Sequence, residues 1–274
     1  MIKRASDTIG LMFINLALIG ATLFINPSKA HAEKSCVRKI NNSSVSLRSQ
    51  NINVNIRNIY NEETLNCSDD EVSNMNMQTL SDIQKEIPLK TQNRAQNISL
   101  EQLNQLFHVI KNHPIVSPDI TKYERGLFKN ELGYCFGRAT YAHLVLLKMG
   151  LQKESIQKIW AVGSIKDDKH GVWQFHVATM AYTKYGWVVL DLNTSKVMTI
   201  TDWVTLYRGR DLTGKIRFYN TDPSKFGLDM GKYNPTNLGL NLDSHHDWYK
   251  NYFRDMMISL REENLEDQGL HQIN

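Results

Sequence analysis

Three residues in this chain have the types and the order needed for covalent catalysis: Cys135, His176 and Asp191. Cys135 follows Gly133-Tyr134 and opens a stretch predicted to be helical as far as Met149. Ala139, Ala142, His143, Leu146 and Leu147 make much of its packed side, and Gly150 suits the position after the last turn. A helix N-terminus presents unpaired backbone N–H groups and a positive partial charge. Both favour thiolate over thiol, and the same N–H groups can receive an oxyanion in acyl transfer. Such a thiolate needs a base and a group to orient that base. His176 and Asp191 fit these roles, since they fall on two successive predicted strands joined by a tight turn.

The turn decides whether they meet. If it is centred between Thr183 and Lys184, His176 sits directly across from Asp191 on one face of the hairpin. A register two residues longer leaves them diagonal but still on one face, whereas a shift by one separates them. Cross-strand neighbours have Cβ atoms about 5 Å apart, within reach of an imidazole–carboxylate hydrogen bond. That bond would fix the tautomer and steady the imidazolium. A single histidine in a strand is usually structural. An aspartate closing the apolar run Val188-Val189-Leu190 needs a partner. The ordered set of helix-opening Cys, strand His and next-strand Asp is the rarer pattern.

Other chemistry-bearing residues fit simpler roles. His245-His246-Asp247, with His170, lacks zinc spacing and reads as a solvated helix start capped by Ser244 or Asp243. Asp167-Asp168-Lys169-His170-Gly171 reads as an exposed turn. Trp173 is core or a groove wall. No Gly-rich phosphate loop is present, and no cofactor is expected.

The segment Gly133-Tyr134-Cys135-Phe136-Gly137-Arg138-Ala139 resembles the cysteine motif of secreted bacterial protein-glutaminases. Leu106-Phe107 with Ile110-Lys111-Asn112 is similar to that family's upstream helix. Phe175-His176-Val177-Ala178 is similar to its histidine strand and Leu190-Asp191 to its aspartate strand. Ile200-Thr201-Asp202-Trp203 is similar to the helix start that follows. The resemblance runs in order over roughly residues 100 to 225. It implies a papain- or transglutaminase-like core, a Cys-His-Asp triad, hydrolysis of glutamine side-chain amides in proteins with release of ammonia, and a pro-sequence that blocks the site. The chain departs from the family in lacking the cysteines for its several disulfides. It also has Leu192 where Pro commonly follows the aspartate. The same triad on another bond or acceptor would make a cysteine protease or a transglutaminase, and a non-catalytic binding module is the reading from another class.

The elements that must carry these residues are legible in outline. Ser99 and Gln102 fit a capping box, after which Leu103, Leu106, Phe107 and Ile110 recur at helical spacing. Strands are predicted at Ile159 to Val162, Trp173 to Tyr182, Trp187 to Leu192 and Ile216 to Tyr219. A helical stretch is expected near Asp202 to Tyr207, and a terminal helix with Trp248, Tyr252, Met256 and Leu260 on one side. This order argues for an α+β fold, with the helix bearing the Cys packed on an antiparallel sheet bearing His and Asp.

Ahead of that core, Lys3 and Arg4, an apolar run to Ile25, and Ala30-His31-Ala32 have the three-part layout of a secretory signal, so 1–32 is expected to be cut after Ala32. The apolar run falls short of the about 20 residues a bilayer span needs. Residues 33–98 are Asn-rich, lack Gly, and read as a polar leader or pro-segment. Their one strand signal is the alternation of Ile52, Val54 and Ile56 with Asn51, Asn53, Asn55 and Arg57, and around it the polar composition reads as loop-like. Residues 99–274 then form the catalytic domain. The formal charge of +4 shrinks once the signal leaves, and no basic stripe points to nucleic acid. The expected product is a secreted or periplasmic monomer, free of the membrane, acting on proteins or peptides with exposed glutamine. Of three cysteines, Cys36 and Cys67 can bridge, leaving Cys135 free.

Overall fold

A computed structural model of the chain describes residues 52–86, 97–117, 135–167, 171–236, 238 and 247–273. The signal segment, Cys36 and the Asp168–His170 turn lie outside the described residues, as do His245 and His246. Among the described residues no helix is long and apolar enough to cross a membrane.

Among the described residues, five strands form one antiparallel sheet: β1 (Ile156–Asp167), β2 (Gly171–Thr183), β3 (Gly186–Leu190), β4 (Met198–Thr199) and β5 (Arg217–Thr221). Their spatial order is β4-β3-β2-β1-β5. The helices are α1 (Ile52–Thr64), α2 (Asp69–Lys85), α3 (Leu100–Lys111), α4 (Cys135–Lys148), α5 (Ile200–Gly209) and α6 (Asp247–Glu262). The fold is therefore α+β, as the element order implied.

Strand alternation sorts the core into two layers. Ile156, Trp160 and Val162 of β1 join the cluster built with α1, α3, α4 and α6. Ile159, Ala161 and Ile165 join the opposite cluster with α5 and Ile83 of α2. The Ser99–Gln102 capping box forms as expected and starts α3. Gly150 has φ +96°, the left-handed geometry that ends α4. Gly137 lets α6 approach α4 closely, because a Cβ there would lie 2.3 Å from a ring carbon of Tyr252. Tyr252, Met256 and Leu260 are buried along α6 as their spacing implied.

Two expectations for the leader are corrected. The segment around Ile52–Ile56 is the helix α1, not a strand. Its short alternation satisfies period two only over a few residues. Ile56, Ile59 and Tyr60 follow the helical i, i+3, i+4 rule, and burial follows them while Arg57 and Asn58 stay exposed. The stretch beyond it is not loop-like. Ser68 and Glu71 make a second capping box, and α2 turns Val72, Asn76 and Ile83 inward.

Asn76 explains why α2 stays against the sheet. β5 is an edge strand, and the Asn76 amide satisfies its open side. The amide nitrogen donates to the Ile216 carbonyl, and its oxygen accepts from the Phe218 N–H and from Arg217. Without it, two buried backbone groups would lose their partners, at about 1–3 kcal/mol each. Cys67, between the two helices, is disulfide-bonded, whereas Cys135 is free.

Candidate active site

Cys135 is the first residue of α4 and is buried. The first two turns of this helix bury Phe136, Ala139, Tyr141 and Ala142 in the main core cluster. Its axial position is fixed by Thr179 of β2, whose hydroxyl donates to the Ala139 carbonyl at 2.6 Å.

The hairpin register differs from the directly opposed pairing. Lys184-Tyr185 forms the turn, Thr183 pairs with Gly186, and the ladder ends at Thr179 opposite Leu190. This is the register two residues longer, so Asp191 lies diagonally from His176 and on its face. Tyr185 and Lys184 extend the loop because the Thr183 hydroxyl bonds the Gly186 carbonyl and the Tyr185 N–H. Beyond Leu190 the chain leaves β2, since Asp191 caps its own turn through the Asn193 and Thr194 N–H groups. A small pocket opens where the ladder stops. Cys135, Arg138, Ala139, His176, Val177, Ala178, Leu190, Asp191 and Leu192 line it.

All three sequence-predicted residues thus meet at one pocket. His176 Nε2 lies 2.9 Å from both Asp191 carboxylate oxygens. A carboxylate only accepts, so Nε2 carries a proton. Nδ1 is buried and makes no hydrogen bond of strict geometry. The Cys135 thiol is nevertheless close enough to contribute to the imidazole's charge state. Burial alone would lower the His176 pKa, but Asp191 and then Cys135 outweigh it and hold the imidazole above its ordinary range. Burial likewise opposes the Asp191 charge, but His176 and the other donors hold that carboxyl below its ordinary range. The arrangement favours an ionised pair at neutral pH. Cys135, at the N-terminus of α4, lines the same pocket as this pair.

Two residues of this site escaped the sequence reading. Trp203 Nε1 and the Tyr207 hydroxyl donate to Asp191 Oδ2 at 2.8 and 2.9 Å. They lie one turn apart on α5 and so share a face. Tyr207 also stacks on the imidazole, with centroids 5.0 Å apart and planes 14° apart. Trp173 lies against another part of the imidazole, 5.5 Å between centroids. Trp173 is therefore a wall of the histidine's enclosure. Trp203 was visible as part of a helix start, but its N–H acceptor is set only by tertiary contact. Among the described residues no cluster suited to a metal ion occurs.

No protein-family model and no curated protein matches the chain. Among solved structures, an NMR structure of protein-glutaminase from Chryseobacterium proteolyticum is similar at 19% identity. That match covers 52% of this chain and 84% of that one, with a TM-score of 0.38. A crystal structure of pro-protein-glutaminase is similar at 17% identity over 72% of this chain and 69% of that one, with a TM-score of 0.38.

Proposed function

We propose that the chain is a cysteine-dependent amidohydrolase that deamidates glutamine side chains in proteins. The observation that carries the reading is the convergence in one pocket of Cys135, at the start of α4, with the His176–Asp191 pair joined through Nε2. The Cys135 thiolate attacks the carboxamide carbon, and backbone N–H groups at the α4 N-terminus donate to the oxyanion. His176 gives its Nδ1 proton to the departing ammonia. Water, deprotonated by the same nitrogen, then hydrolyses the thioester to a glutamate side chain and restores the thiol. Asp191 orients the ring throughout. A helix-borne Cys against an antiparallel sheet, with His on β2 and Asp just past the end of β3, accords with a papain/transglutaminase-like core. The choice of glutamine rests on the sequence resemblance over residues 100 to 225.

A glutamine-rich protein substrate tests this reading. The expected result is ammonia release with a gain of about 1 Da per converted site and no new chain termini. Cleaved peptide bonds without ammonia would replace the deamidase with a cysteine protease. Amine incorporation would make it a transglutaminase.

The same reading makes residues 33–98 a removable leader that restrains the exported enzyme. Limited proteolysis is expected to cut before Ser99, and the trimmed core is expected to gain activity on a protein substrate. It should also lose stability, because removal uncovers the neighbours of Ile56, Ile59 and Ile83 and the β5 edge now held by Asn76. A folded core starting near residue 98 that is no more active than the longer chain would leave the segment a spacer.

A further inference from the structure

Lys158 is the one charged residue in an otherwise apolar stripe. Ile156, Trp160 and Val162 on the same side of β1 all pack into the α4 cluster. Lys158 between them is 0% exposed. Its cross-strand neighbours, Thr179 and Thr221, carry no charge. Its ammonium donates to the Lys225 carbonyl at 2.7 Å, to Thr140 Oγ1 at 3.3 Å and to the Tyr233 hydroxyl at 3.5 Å. It also lies 5.0 Å from the Tyr233 ring centroid and 5.8 Å from that of Phe226. Every one of these partners is neutral.

The charged and titratable groups around it compensate the cation only in part. Asp222 already forms an ion pair with Lys232 at 2.5 Å and accepts from the Ser224 N–H. The Lys225 ammonium turns to the Leu228 carbonyl. His143 on α4 bonds the Tyr233 hydroxyl through Nδ1 at 2.7 Å. Burial, followed by the nearby Lys158 charge, lowers His143 to about 3, so it is neutral. The remaining group is Cys135. A buried ion with only a shared counter-charge is costly, and an apolar side chain would fill such a place at least as well.

One contact connects this lysine to the nucleophile. Thr140 accepts from Lys158 and donates to the Phe136 carbonyl at 2.7 Å, within the first turn of α4. We propose that Lys158 is a positioning residue for Cys135, its buried ammonium favouring the thiolate and its Thr140 contact anchoring the helix turn that presents it. Burial pulls Lys158 itself down to about 7, against the opposing pull of Asp222 and then of Cys135. It therefore changes charge near neutral pH, and a thiolate at Cys135 helps it keep its proton.

The inference rests on Cys135 reacting as a thiolate, as the proposed function requires, but not on which bond is attacked. Thiol alkylation therefore tests it separately from amide hydrolysis. The probe is iodoacetamide on the full exported chain, in which Cys67 is disulfide-bonded and Cys135 is free. Lys158→Met, checked for folding by circular dichroism, is expected to move the alkylation–pH profile upward by about one pH unit. That corresponds to a roughly tenfold slower reaction at a fixed pH below the midpoint. A profile that superimposes on the wild-type profile would overturn the proposal. Should Lys158→Met fail to fold, NMR of the 13C-labelled lysine Cε in the unmutated protein decides. Carbamidomethylation of Cys135 is expected to lower the Lys158 titration midpoint. A midpoint that stays in place overturns the proposal.

Discussion

Replacing Cys135 by Ala should abolish amide hydrolysis and leave the fold intact. The Sγ atom is the proposed nucleophile, and no other described residue stands at the α4 N-terminus facing His176. The side chain is small, so its loss costs little packing. His176→Ala should be as severe, because an unactivated thiol lacks both its base and the acid for the leaving ammonia. In groups that act as one unit, single losses reach roughly 10⁴- to 10⁶-fold and do not add. The Cys135→Ala/His176→Ala double variant should therefore be no worse than either single one. Asp191 orients rather than reacts, so its replacement should cost less. Asp191→Ala would also strand the donors of His176, Trp203, Tyr207 and Asn193. Asp191→Asn is the cleaner test, expected to cost roughly 10⁴-fold. Ammonia release measured with purified variants checks all three, and undiminished activity in Cys135→Ala would end the mechanism.

The second large effect should come from α5. Trp203→Phe and Tyr207→Phe keep the aromatic enclosure but each removes one donor to Asp191 Oδ2. Hydrogen bonds to a charged group are worth about 1.5–3 kcal/mol, so each substitution should slow turnover about tenfold and the pair more. The pH dependence gives the sign. The Asp191 pKa is depressed on folding, so its contribution is present above the ordinary Asp range and lost as pH falls through the depressed value. Removing donors raises that value, and the acid unfolding midpoint of the double variant should move to higher pH. Superimposable acid unfolding curves with unchanged turnover would mean that the two contacts do nothing for the carboxylate.

The three residues of the candidate site were legible because local signals carried them. The apolar spacing after Cys135 marks a helix start, and the strand runs around His176 and Asp191 mark a hairpin. The register was legible only as a choice between two same-face pairings, and Lys184-Tyr185 in the turn selects the longer one. The leader misled because Ile52 to Ile56 fits two periods over so short a span, while burial of Ile59 and Tyr60 decides for the helix. The α2 capping box Ser68–Glu71 was readable and was outweighed by polar composition. Asn76, Trp203, Tyr207 and Lys158 were not readable in role, since each acts on a group far away in sequence. Lys158 in particular is a polar residue in a strand, a pattern that ordinarily marks the solvent face.

The central claim is that Cys135 forms a covalent acyl-enzyme whose formation expels ammonia. Mixing the exported chain with a glutamine-containing peptide, quenching with acid within the first turnover, and mapping the adduct by mass spectrometry tests it most directly. The expected adduct sits on Cys135, has the mass of the peptide less ammonia, and disappears on longer incubation as glutamate-containing peptide forms. Glutamate-containing peptide that accumulates while Cys135 stays unmodified, and that also forms with Cys135→Ala, would contradict the account.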